Sequence, residues 1–414
     1  KARNQEEAIK KLDTKIAVMS KRIDYLLLGD EVELRESEPN KIKSKLNTYN
    51  VRTFPLYFLP SHQKWGLKPV AYLEQTNNKI VIASGHGEFF WFEKKDIDSD
   101  NLFLKKIKSN LKDLIRNEEL YSYEIKDYFK PEGLISIRDL LILDNKIFFS
   151  YLKKISEDCY NMSIASSEFN LNYLNFTEFF SYEECLSFPT RSWNSGGRMV
   201  LFKEGKILFT TGVFTAPTVA QDKNSMFGKI FSIDLKTKDY DMISMGHRNP
   251  QGLFYVKNLD IIINTEHGPK GGDEININFQ EDDEIANFGW DVSSYGTPYT
   301  GSDDPYKKSH VKYGFVEPIK YFVPSIGISE IIRIPRTFNE KFTNDFFIGS
   351  MGYRPQINEG DMSIHHIRFN ENFDQIIFED IILIGERVRD IIFIKEKNIV
   401  LMLLESVPAI AILK

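Results

Sequence analysis

The stretch MVLFKEGKILFTT, residues 199–211, decides the fold, because it joins an apolar run, a short polar turn and a second apolar run. Its turn contains glycine, which adopts the left-handed backbone conformation that a tight hairpin turn needs. The flanks are rich in Val, Ile, Leu and Phe, a composition typical of strands. The stretch therefore predicts an antiparallel β-hairpin.

The same unit recurs along the chain. Further copies are AYLEQTNNKIVIAS from Ala71, LLILDNKIFFSY from Leu140, LFYVKNLDIIINT from Leu253, IIFIKEKNIVLMLL from Ile391, and a looser copy from Ile331 to Ser350. Units of this kind cannot bury both faces alone, so they stack radially around a central channel. We therefore predict an all-β fold, a six-bladed β-propeller over residues 46–414. Loops from successive blades would place a site on its axis.

The first 45 residues have a different pattern. Apolar residues alternate at spacings of three and four, at Ile9, Leu12, Ile16, Met19, Ile23 and Leu26. This is the a/d pattern of a coiled coil, and isoleucine at every a position favours a parallel dimer. We expect an N-terminal α-helical coiled-coil stem that makes the chain a homo-oligomer, with an amphipathic helix lying on the main domain as the alternative. The polar stretch from Glu31 to Lys45 is predicted to be a linker, which sets the domains at 1–45 and 46–414.

Composition limits the function. Lysine and arginine total 53 against 59 acidic residues, a net charge of -6, so the chain has no basic surplus for a nucleic-acid partner. It contains no apolar run of about 18 residues that would predict a membrane span. Its two cysteines, Cys159 and Cys185, are too few for a disulfide scaffold, and they form either one bridge or two buried thiols.

Three loop segments carry chemistry. Residues 246–252, GHRNPQG, contain an arginine that can grip a carboxylate with two parallel hydrogen bonds. Residues 266–274, EHGPKGGDE, combine a Gly-Pro turn with carboxylates, and carbonyl and carboxylate oxygens are the ligands that calcium prefers. Near the C-terminus, Arg387 and Arg389 are two residues apart, which places both on one face of a strand.

Together these segments resemble those of the glucose/sorbosone dehydrogenase family, the soluble aldose dehydrogenases that use pyrroloquinoline quinone (PQQ). GHRNPQG, EHGPKGGDE, NFGW at 287–290 and ERVRD at 386–390 match its hallmark segments in type and order. So do SGGRMVLFKEGKILFTTG from Ser195 and AQDKNSMFGKIFSID from Ala220. The resemblance covers most of residues 190–390. It implies a PQQ- and calcium-dependent dehydrogenase that oxidises a sugar or similar alcohol by hydride transfer to the quinone.

The resemblance also implies site residues. The PQQ contacts would be Arg248, Asn249 and Gln251, while Arg387 and Arg389 would bind the carboxylates of the cofactor. The carbonyls of Gly268 and Pro269 would hold the calcium that bridges to the quinone. Asp273 and Glu274 match acidic residues that bind a separate structural calcium in some members.

Each of these segments also has a structural interpretation. GHRNPQG can satisfy backbone carbonyls around the channel mouth, and EHGPKGGDE can be a solvated acidic turn. Arg387 and Arg389 can pair with neighbouring carboxylates, as buried arginines usually do.

Two positions depart from the family pattern. Asn194 stands where the family has the histidine that accepts the proton of the substrate hydroxyl, and an amide has no basic lone pair for this role. Gly352 stands where the family tends to have a lysine that contacts the quinone. These departures predict that the protein binds PQQ weakly or not at all and shows negligible aldose oxidation. They leave open the alternative of a catalytically inactive propeller that binds a glycan or a protein partner.

Four histidines and one run of aromatic residues also need an interpretation. His86, between two glycines, and His247 are candidate substitute bases. His365 and His366 are adjacent on a predicted strand and so face opposite sides, which argues against a shared metal. The aromatic run Phe89–Phe92 is expected to pack within a blade.

Localisation follows from the resemblance alone. Because enzymes that use PQQ work outside the cytoplasmic membrane, we expect a periplasmic or extracellular protein. It would be either a soluble form or a form anchored by a segment that precedes Lys1.

Overall fold

A computed structural model describes residues 28–59, 71–85, 87–114, 137–156, 159–187, 194–280, 285–301, 303–335, 338, 344–352 and 360–414. Within these residues the first strands are β1 (Glu31–Arg35), β2 (Asn40–Lys43), β3 (Thr48–Pro55), β4 (Ala71–Gln75), β5 (Lys79–Ser84), β6 (Phe89–Glu93), β7 (Asn101–Ser109), β8 (Ile137–Leu143), β9 (Lys146–Ser156), β10 (Cys159–Glu168), β11 (Tyr173–Leu174), β12 (Thr177–Phe180), β13 (Leu186–Ser187), β14 (Gly196–Leu201) and β15 (Lys206–Thr211).

The remaining strands are β16 (Lys229–Asp234), β17 (Tyr240–Met245), β18 (Pro250–Val256), β19 (Ile261–Glu266), β20 (Asp273–Asn278), β21 (Ala286–Asn287), β22 (Lys320–Phe322), β23 (Ile328–Ile334), β24 (Asp345–Ser350), β25 (Ile364–Phe369), β26 (Ile376–Ile382), β27 (Val388–Ile394), β28 (Ile399–Leu404) and β29 (Ala409–Leu413). Helical structure in the described residues amounts to one turn, α1 (Leu111–Leu114), and the short 3-10 segments Lys94–Asp98, Pro217–Gln221 and Val311–Tyr313.

The strands form six sheets, the blades of a propeller. Blades 1 to 3 have the strand orders β4-β5-β6-β7-β1, β8-β9-β10-β12 and β14-β15-β16-β17-β21, with β11 beside β7 and β13 beside β10. Blades 4 to 6 have the orders β18-β19-β20-β22, β23-β24-β25-β26 and β27-β28-β29-β3-β2. The first strands of the blades contact one another in a ring, β4, β8, β14, β18, β23, β27 and back to β4. This confirms the predicted six-bladed all-β propeller.

The six predicted hairpins are the two innermost strands of each blade, as the pairing of β14 with β15 shows. The predicted turn chemistry is confirmed in four of them. Asp144, Gly205, Asp260 and Asn398 have φ angles of 51°, 73°, 55° and 53°. Asn, Asp and Gly tolerate this left-handed region best, so these residues let each hairpin close tightly.

The prediction of a linker over Glu31 to Lys45 is wrong. β1 pairs with β7 in blade 1, and β2 pairs with β3 in blade 6. In β1 the exposed and buried residues alternate, with Val32 and Leu34 in the core, so the charged residues occupy only its outer face. Short edge strands with one polar face resemble a linker in composition. The propeller therefore begins before residue 46, and the predicted coiled-coil seam from Ile9 to Leu26 lies outside the described residues.

The two ends of the chain close the ring together. β29, the last strand, pairs with β3, so that Ile412 lies opposite Arg52. The same N-terminal segment supplies β1 to blade 1, which adjoins blade 6. Phe54, Phe90, Phe92 and other apolar side chains fill the space between these two blades. Each buried phenylalanine contributes about 1.5–3 kcal/mol, so apolar packing reinforces the hydrogen-bonded closure.

One buried arginine lies where the inner strands converge. Arg198 of β14 forms ion pairs with Asp139 of β8 at 2.9 Å, Glu330 of β23 at 2.7 Å and Asp390 of β27 at 2.9 Å. Its Nε donates to the carbonyl of Gln251 in β18 at 2.6 Å, and its guanidinium lies 5.0 Å from the ring centre of Tyr72 in β4. Arg198 therefore contacts an inner strand in each of the five other blades.

The charges of this cluster are mutually dependent. Although burial alone lowers the pKa of Arg198, the three carboxylates raise it above its ordinary value. Burial raises the pKa of Asp139 to about 7 and that of Glu330 to about 8, against the attraction of Arg198. One cation therefore serves three acids, and its removal would leave the buried carboxylates without a compensating charge, although each still accepts a hydrogen bond from a backbone N–H.

The two cysteines form a disulfide bridge. Cys159 begins β10 and Cys185 precedes β13, and their Cα atoms are 5.3 Å apart. Of the two alternatives left open by the sequence, the structure shows the bridge. It fastens the segment after β12 to the outer part of blade 2.

The N-terminal region yields a first prediction. A chain that lacks residues 1–27 should keep the melting temperature of the full chain, because no described strand is removed. If the coiled-coil stem is real, this deletion should also convert an oligomer into a monomer in sedimentation velocity. A chain that lacks residues 1–46 should melt at a lower temperature, because β1 and β2 are lost. A full-length chain that sediments as a monomer would contradict the stem.

The axial cluster yields a second prediction. Arg198→Met should lower the free energy of unfolding by about 3–5 kcal/mol, because it leaves buried carboxylates uncompensated. Chemical denaturation checks the value. The matched control is Arg35→Met, since the side chain of Arg35 is 80% exposed and its ion pair with Glu33 is on the surface. An Arg198→Met protein as stable as this control would contradict the role of the cluster.

Candidate functional site

A cavity of about 600 Å³ lies on the propeller axis, and residues from all six blades line it. It contains every residue predicted to contact the cofactor, namely Arg248, Asn249, Gln251, Arg387 and Arg389. Gly268, Pro269, Asp273, Asn194 and Gly352 line it too, whereas Glu274 does not. The structure thus gathers residues that are up to about two hundred positions apart in the sequence.

The segment GHRNPQG forms one wall of the cavity. Arg248 is 9% exposed, its Nη1 donates to the carbonyl of His267 at 3.0 Å, and its guanidinium lies 5.3 Å from the ring centre of Trp290. In the described part of the chain no acidic side chain pairs with it. Burial lowers the pKa of Arg248 from its ordinary value. Arg248 is therefore a buried cation with donor capacity for an anionic ligand.

The two amides of this segment are held by polar contacts. The Oδ1 atom of Asn249 accepts from the backbone N–H of Gly196 at 3.1 Å and from Nε2 of Gln251 at 3.0 Å. The Oε1 atom of Gln251 accepts from Nη1 of Arg389 at 3.1 Å. The backbone of blade 3 and side chains of blades 4 and 6 are thereby linked around the cavity.

The segment NFGW explains how this wall keeps its shape. The backbone N–H of Phe288 donates to Met245 and that of Trp290 donates to Gly246. Gly246 has a φ angle of 74°, and a Cβ atom there would lie 2.2 Å from Oδ1 of Asn287. Glycine is therefore required at this position for the two segments to meet. The motifs recognised separately in the sequence form one packed unit.

Arg387 and Arg389 both bind Glu405, a residue that the sequence analysis missed. Arg387 contacts Oε2 of Glu405 at 3.1 Å, and Arg389 contacts Oε1. Arg387 also donates to the carbonyl of Met351. Although burial alone lowers the pKa of Arg389, Glu405 raises it above its ordinary value. Glu405 holds both arginines in place, and both line the cavity. Together the two arginines carry more positive charge than one carboxylate neutralises.

Asp273 fixes the EHGPKGGDE loop. Its Oδ1 accepts from the backbone N–H of Gly268 at 3.1 Å and from Oγ of Ser325 at 2.9 Å. Its Oδ2 accepts from the backbone N–H groups of Gly327 at 2.8 Å and Ile328 at 3.0 Å. Although burial alone raises the pKa of Asp273, the nearby imidazole of His267, 3.7 Å from Oδ1, and these donors hold it below its ordinary value. Four protein donors thus occupy this carboxylate.

Glu274 faces away from the cavity into a buried polar cluster. Its Oε1 lies 3.4 Å from Nε2 of His310, and its Oε2 accepts from Nδ2 of Asn276 at 3.3 Å. Burial raises the pKa of Glu274 well above its ordinary value, and the neighbouring Glu266 raises it further. This environment favours a protonated carboxyl group.

The predicted calcium ligands differ in how well their surroundings suit a calcium ion. Asp273 and Glu274 contact N–H, O–H and imidazole groups instead of a gathered set of oxygens, so the structure does not support them as ligands of a structural calcium. Among the described residues no group of three or more His, Cys, Asp or Glu side chains is arranged to hold a metal. The carbonyl oxygens of Gly268 and Pro269 remain suitable, but calcium takes six to eight oxygen ligands, so a ligand in the cavity would have to supply others.

Asn194 lines the cavity at the position where the family has its base. Its φ angle is 62°, and its Nδ2 donates to the carbonyl of Phe214 at 3.1 Å. The backbone N–H of Phe214 in turn donates to the carbonyl of Asn194 at 2.8 Å. The amide is therefore part of a loop contact and offers no proton acceptor.

Three further histidines, His247, His365 and His366, do not line the cavity. His247 is fully buried between Oγ of Ser244 at 2.8 Å and Oε2 of Glu266 at 3.0 Å, and burial lowers its pKa to about 3, so it is not a substitute base in the cavity. His365 binds the carbonyl of Gly360 and His366 binds Asp345, as expected for opposite faces. His86 lies outside the described residues. The aromatic run belongs to the packing of blade 1, but between blades: Phe90 and Phe92 pack against blade 6, and Phe89 packs against blade 2.

The structure adds cavity residues that the motifs did not reveal. Arg138 at the start of β8 donates from Nε to Oγ of Ser195 at 2.7 Å, and burial lowers its pKa to about 10. Asp361, before β25, also lines the cavity. The available signal was a charged residue next to an apolar strand, as in IRDLLIL at 137–143 and LMLLE at 401–405. That signal is too common to identify a site.

No helix in the described ranges is long and apolar enough to cross a membrane.

Fold and site define the class of protein, a six-bladed β-propeller with an arginine-rich cavity on its axis. The family described as Glucose / Sorbosone dehydrogenase matches residues 143–408, well over half of the chain. The chain belongs to the glucose/sorbosone dehydrogenase family.

Two curated relatives are similar over part of their length. An uncharacterized protein of Synechocystis sp. is 34% identical over 148 residues, which are 36% of this chain and 32% of that protein. The Aldose sugar dehydrogenase YliI of Escherichia coli is 27% identical over 209 residues, 47% of this chain and 53% of that protein. The matched stretches thus span about a third and about half of these relatives.

Solved structures share the fold over most of the chain. The soluble aldose sugar dehydrogenase of Escherichia coli in its apo-form has a TM-score of 0.65 at 19% identity, covering 88% of this chain and 99% of that chain. The PQQ-bound form of an aldose sugar dehydrogenase from Streptomyces coelicolor has a TM-score of 0.57 at 13% identity, covering 91% and 99%. At these identities the similarity shows the fold alone.

The contacts of Asp273 yield a third prediction. Asp273→Asn should lower the free energy of unfolding by about 2–4 kcal/mol, because an amide group would face backbone N–H donors. EGTA should leave the melting temperature of the PQQ-free wild type unchanged. The exposed Asp239→Asn serves as the control. A wild type that melts earlier in EGTA, with the shift absent in Asp273→Asn, would show that Asp273 binds calcium after all.

Proposed function

We propose that the axial cavity binds PQQ and that the chain is a PQQ-dependent dehydrogenase of a sugar or a similar alcohol. The observation that carries the proposal is the convergence of Arg248 with the pair Arg387 and Arg389 on one cavity. PQQ is a flat tricyclic quinone with three carboxylates. Buried guanidinium groups bind carboxylates with paired, charge-assisted hydrogen bonds, so the cavity and the cofactor are complementary in charge.

The residues of the chain divide the work of binding. The guanidinium of Arg248 extends from blade 4 and lies near the ring of Trp290. Those of Arg387 and Arg389 extend from the beginning of the first strand of blade 6. Asn249 and Gln251 keep these groups in position through shared hydrogen bonds. The carbonyls of Gly268 and Pro269 would hold calcium once the cofactor supplies further oxygens. When bound, the quinone supplies the acceptor for a hydride from the substrate.

Asn194 supports a second candidate function. Its amide is engaged with Phe214 and cannot accept the proton of a substrate hydroxyl. A propeller that keeps the cavity but binds a glycan or a protein without turnover is the alternative that this observation favours. The two functions differ in their response to PQQ, which makes them separable by one titration.

Location and assembly belong to the same proposal. A disulfide between Cys159 and Cys185 suits an oxidising compartment, which supports a periplasmic or extracellular protein. The coiled-coil stem predicted from the sequence would make it a homo-oligomer.

The fourth prediction tests the cofactor. Titration of PQQ into the purified chain with calcium should change the quinone absorbance, and Arg248→Met should raise the dissociation constant about 10- to 100-fold, since a charge-assisted hydrogen bond contributes about 1.5–3 kcal/mol. Arg35→Met should bind like the wild type.

Dye reduction with aldoses then separates the two functions. Binding of PQQ together with reduction of the dye supports the dehydrogenase. Binding of PQQ without reduction, restored by Asn194→His, would show that the cavity is intact and the base is missing. Absence of any PQQ binding in the wild type and in Asn194→His would favour the glycan- or protein-binding propeller.

A further inference from the structure

We propose that the rim of the axial cavity binds the outer units of an oligosaccharide whose reducing end enters the cavity; the oxidation of that end rests on the proposed dehydrogenase function. Three exposed side chains form this surface, which we call the rim strip: Tyr299 is 69% exposed, Tyr321 47% and Val323 59%. Tyr299 lines the cavity, and so does Pro324, the residue after Val323. The rim strip is therefore continuous with the cavity.

Tyr321 and Val323 project from the same side of the chain. They flank Phe322, the last residue of β22, which is buried while both neighbours are exposed. Residues two positions apart in an extended chain share a face and are about 6–7 Å apart. A Cβ atom at Gly271, which lines the cavity, would lie 3.4 Å from Cγ1 of Val323. The exposed face that begins at Tyr321 thus leads to the edge of the cavity.

The ring of Tyr321 is supported from behind. It stacks on the ring of Tyr295, with ring centres 3.7 Å apart and planes inclined by 8°, and Tyr295 stacks in turn on His310. The hydroxyl of Tyr295 donates to Glu317, which also accepts the backbone N–H of His310 at 2.9 Å. One face of the Tyr321 ring is therefore covered and held in place, while the side chain remains open to solvent on its other face. A ring fixed in this way loses little conformational entropy when a ligand binds.

Tyr299 belongs to a segment that is fixed to the cavity wall. Thr297, two residues before it, exchanges backbone hydrogen bonds with Lys270 at 2.9 Å and 2.8 Å, and Lys270 lines the cavity. The neighbouring residues are in close contact too, since a Cβ atom at Gly271 would lie 3.7 Å from Cα of Gly296. The rim strip and this wall of the cavity therefore form one unit.

A chain of pyranose units suits the rim strip better than a protein or a membrane does. A pyranose ring has an apolar face of C–H groups that packs on the electron-rich face of an aromatic ring, and its hydroxyl groups can bind the phenol groups of Tyr299 and Tyr321. A stable protein interface buries about 800 Å² on each partner, more than three partly exposed side chains supply. The strip leads into a cavity of about 600 Å³, so an end unit enters the cavity while the units that follow lie on the strip.

Calorimetry on the full chain without PQQ tests the rim strip directly. Cellopentaose or maltopentaose should bind the wild type more tightly than glucose does. Tyr299→Ala and Tyr321→Ala should each weaken binding of that pentasaccharide about 10-fold, because one aromatic contact is lost, whereas Tyr321→Phe keeps the ring and most of the affinity. The matched control is Tyr173→Ala, which removes a tyrosine of equal exposure, 47%, from β11 beside blade 1. Melting temperatures check that each variant is folded.

Turnover of the PQQ-loaded chain gives a second readout. The KM for the better-bound pentasaccharide should be about 10-fold below that for glucose, and Tyr321→Ala should remove this difference. Pentasaccharides that bind no more tightly than glucose, or equally to wild type, Tyr299→Ala and Tyr321→Ala, would overturn the proposal. A strip that serves a protein, a second copy of the chain or a membrane would give this same result.

The two readouts separate this inference from the proposed function. Pentasaccharide binding that depends on Tyr321, without PQQ-dependent turnover of any sugar, would refute the dehydrogenase and support the rim strip as the site of a glycan-binding propeller. Turnover of glucose without any preference for chain length would refute the rim strip alone.

Discussion

The guanidinium of Arg198 is the contact on which the rest of the structure depends. It lies on the axis and reaches the inner strands of the five other blades through three ion pairs, one hydrogen bond and one ring contact. A propeller holds its blades together mainly by apolar packing between neighbours. Arg198 adds a fixed point that neighbour-to-neighbour packing cannot supply, because each of its partners comes from a different blade.

The same cluster adjoins the axial cavity through two residues that line it, Gln251 and Tyr72. Gln251 accepts from Arg198 with its backbone carbonyl, while its side chain faces the cavity and binds Arg389. Tyr72 contacts Arg198 and also lines the cavity. The strands that carry cavity residues are therefore anchored by Arg198 as well as by hydrogen bonds between the cavity side chains themselves. Such preorganisation is what a binding site for a rigid ligand requires.

The cavity is rich in positive charge but departs from the family pattern at two positions. Four arginines and the Gly-Pro turn give it the character expected for a carboxylate-bearing cofactor. The amide of Asn194 and the missing side chain at Gly352 remove a base and a cation together. Asp361 lies against Gly352, since a Cβ atom at Gly352 would be 2.1 Å from Cγ of Asp361.

The sequence by itself determined the six hairpins, because turn residues such as Gly205 and Asp260 and the apolar runs beside them act over a few positions. It also identified the segments around Arg248 and Arg389, since arginines and amides in a turn are chemically distinctive. The sequence did not reveal strands β1 and β2, because a short edge strand with a polar face has the composition of a linker. The partners of the functional side chains were decided by tertiary structure alone: Arg198 meets Asp390 across 192 positions, and Glu405 joins the two arginines of another strand. Closure of the ring creates these contacts, and no local pattern encodes which distant strands will become neighbours.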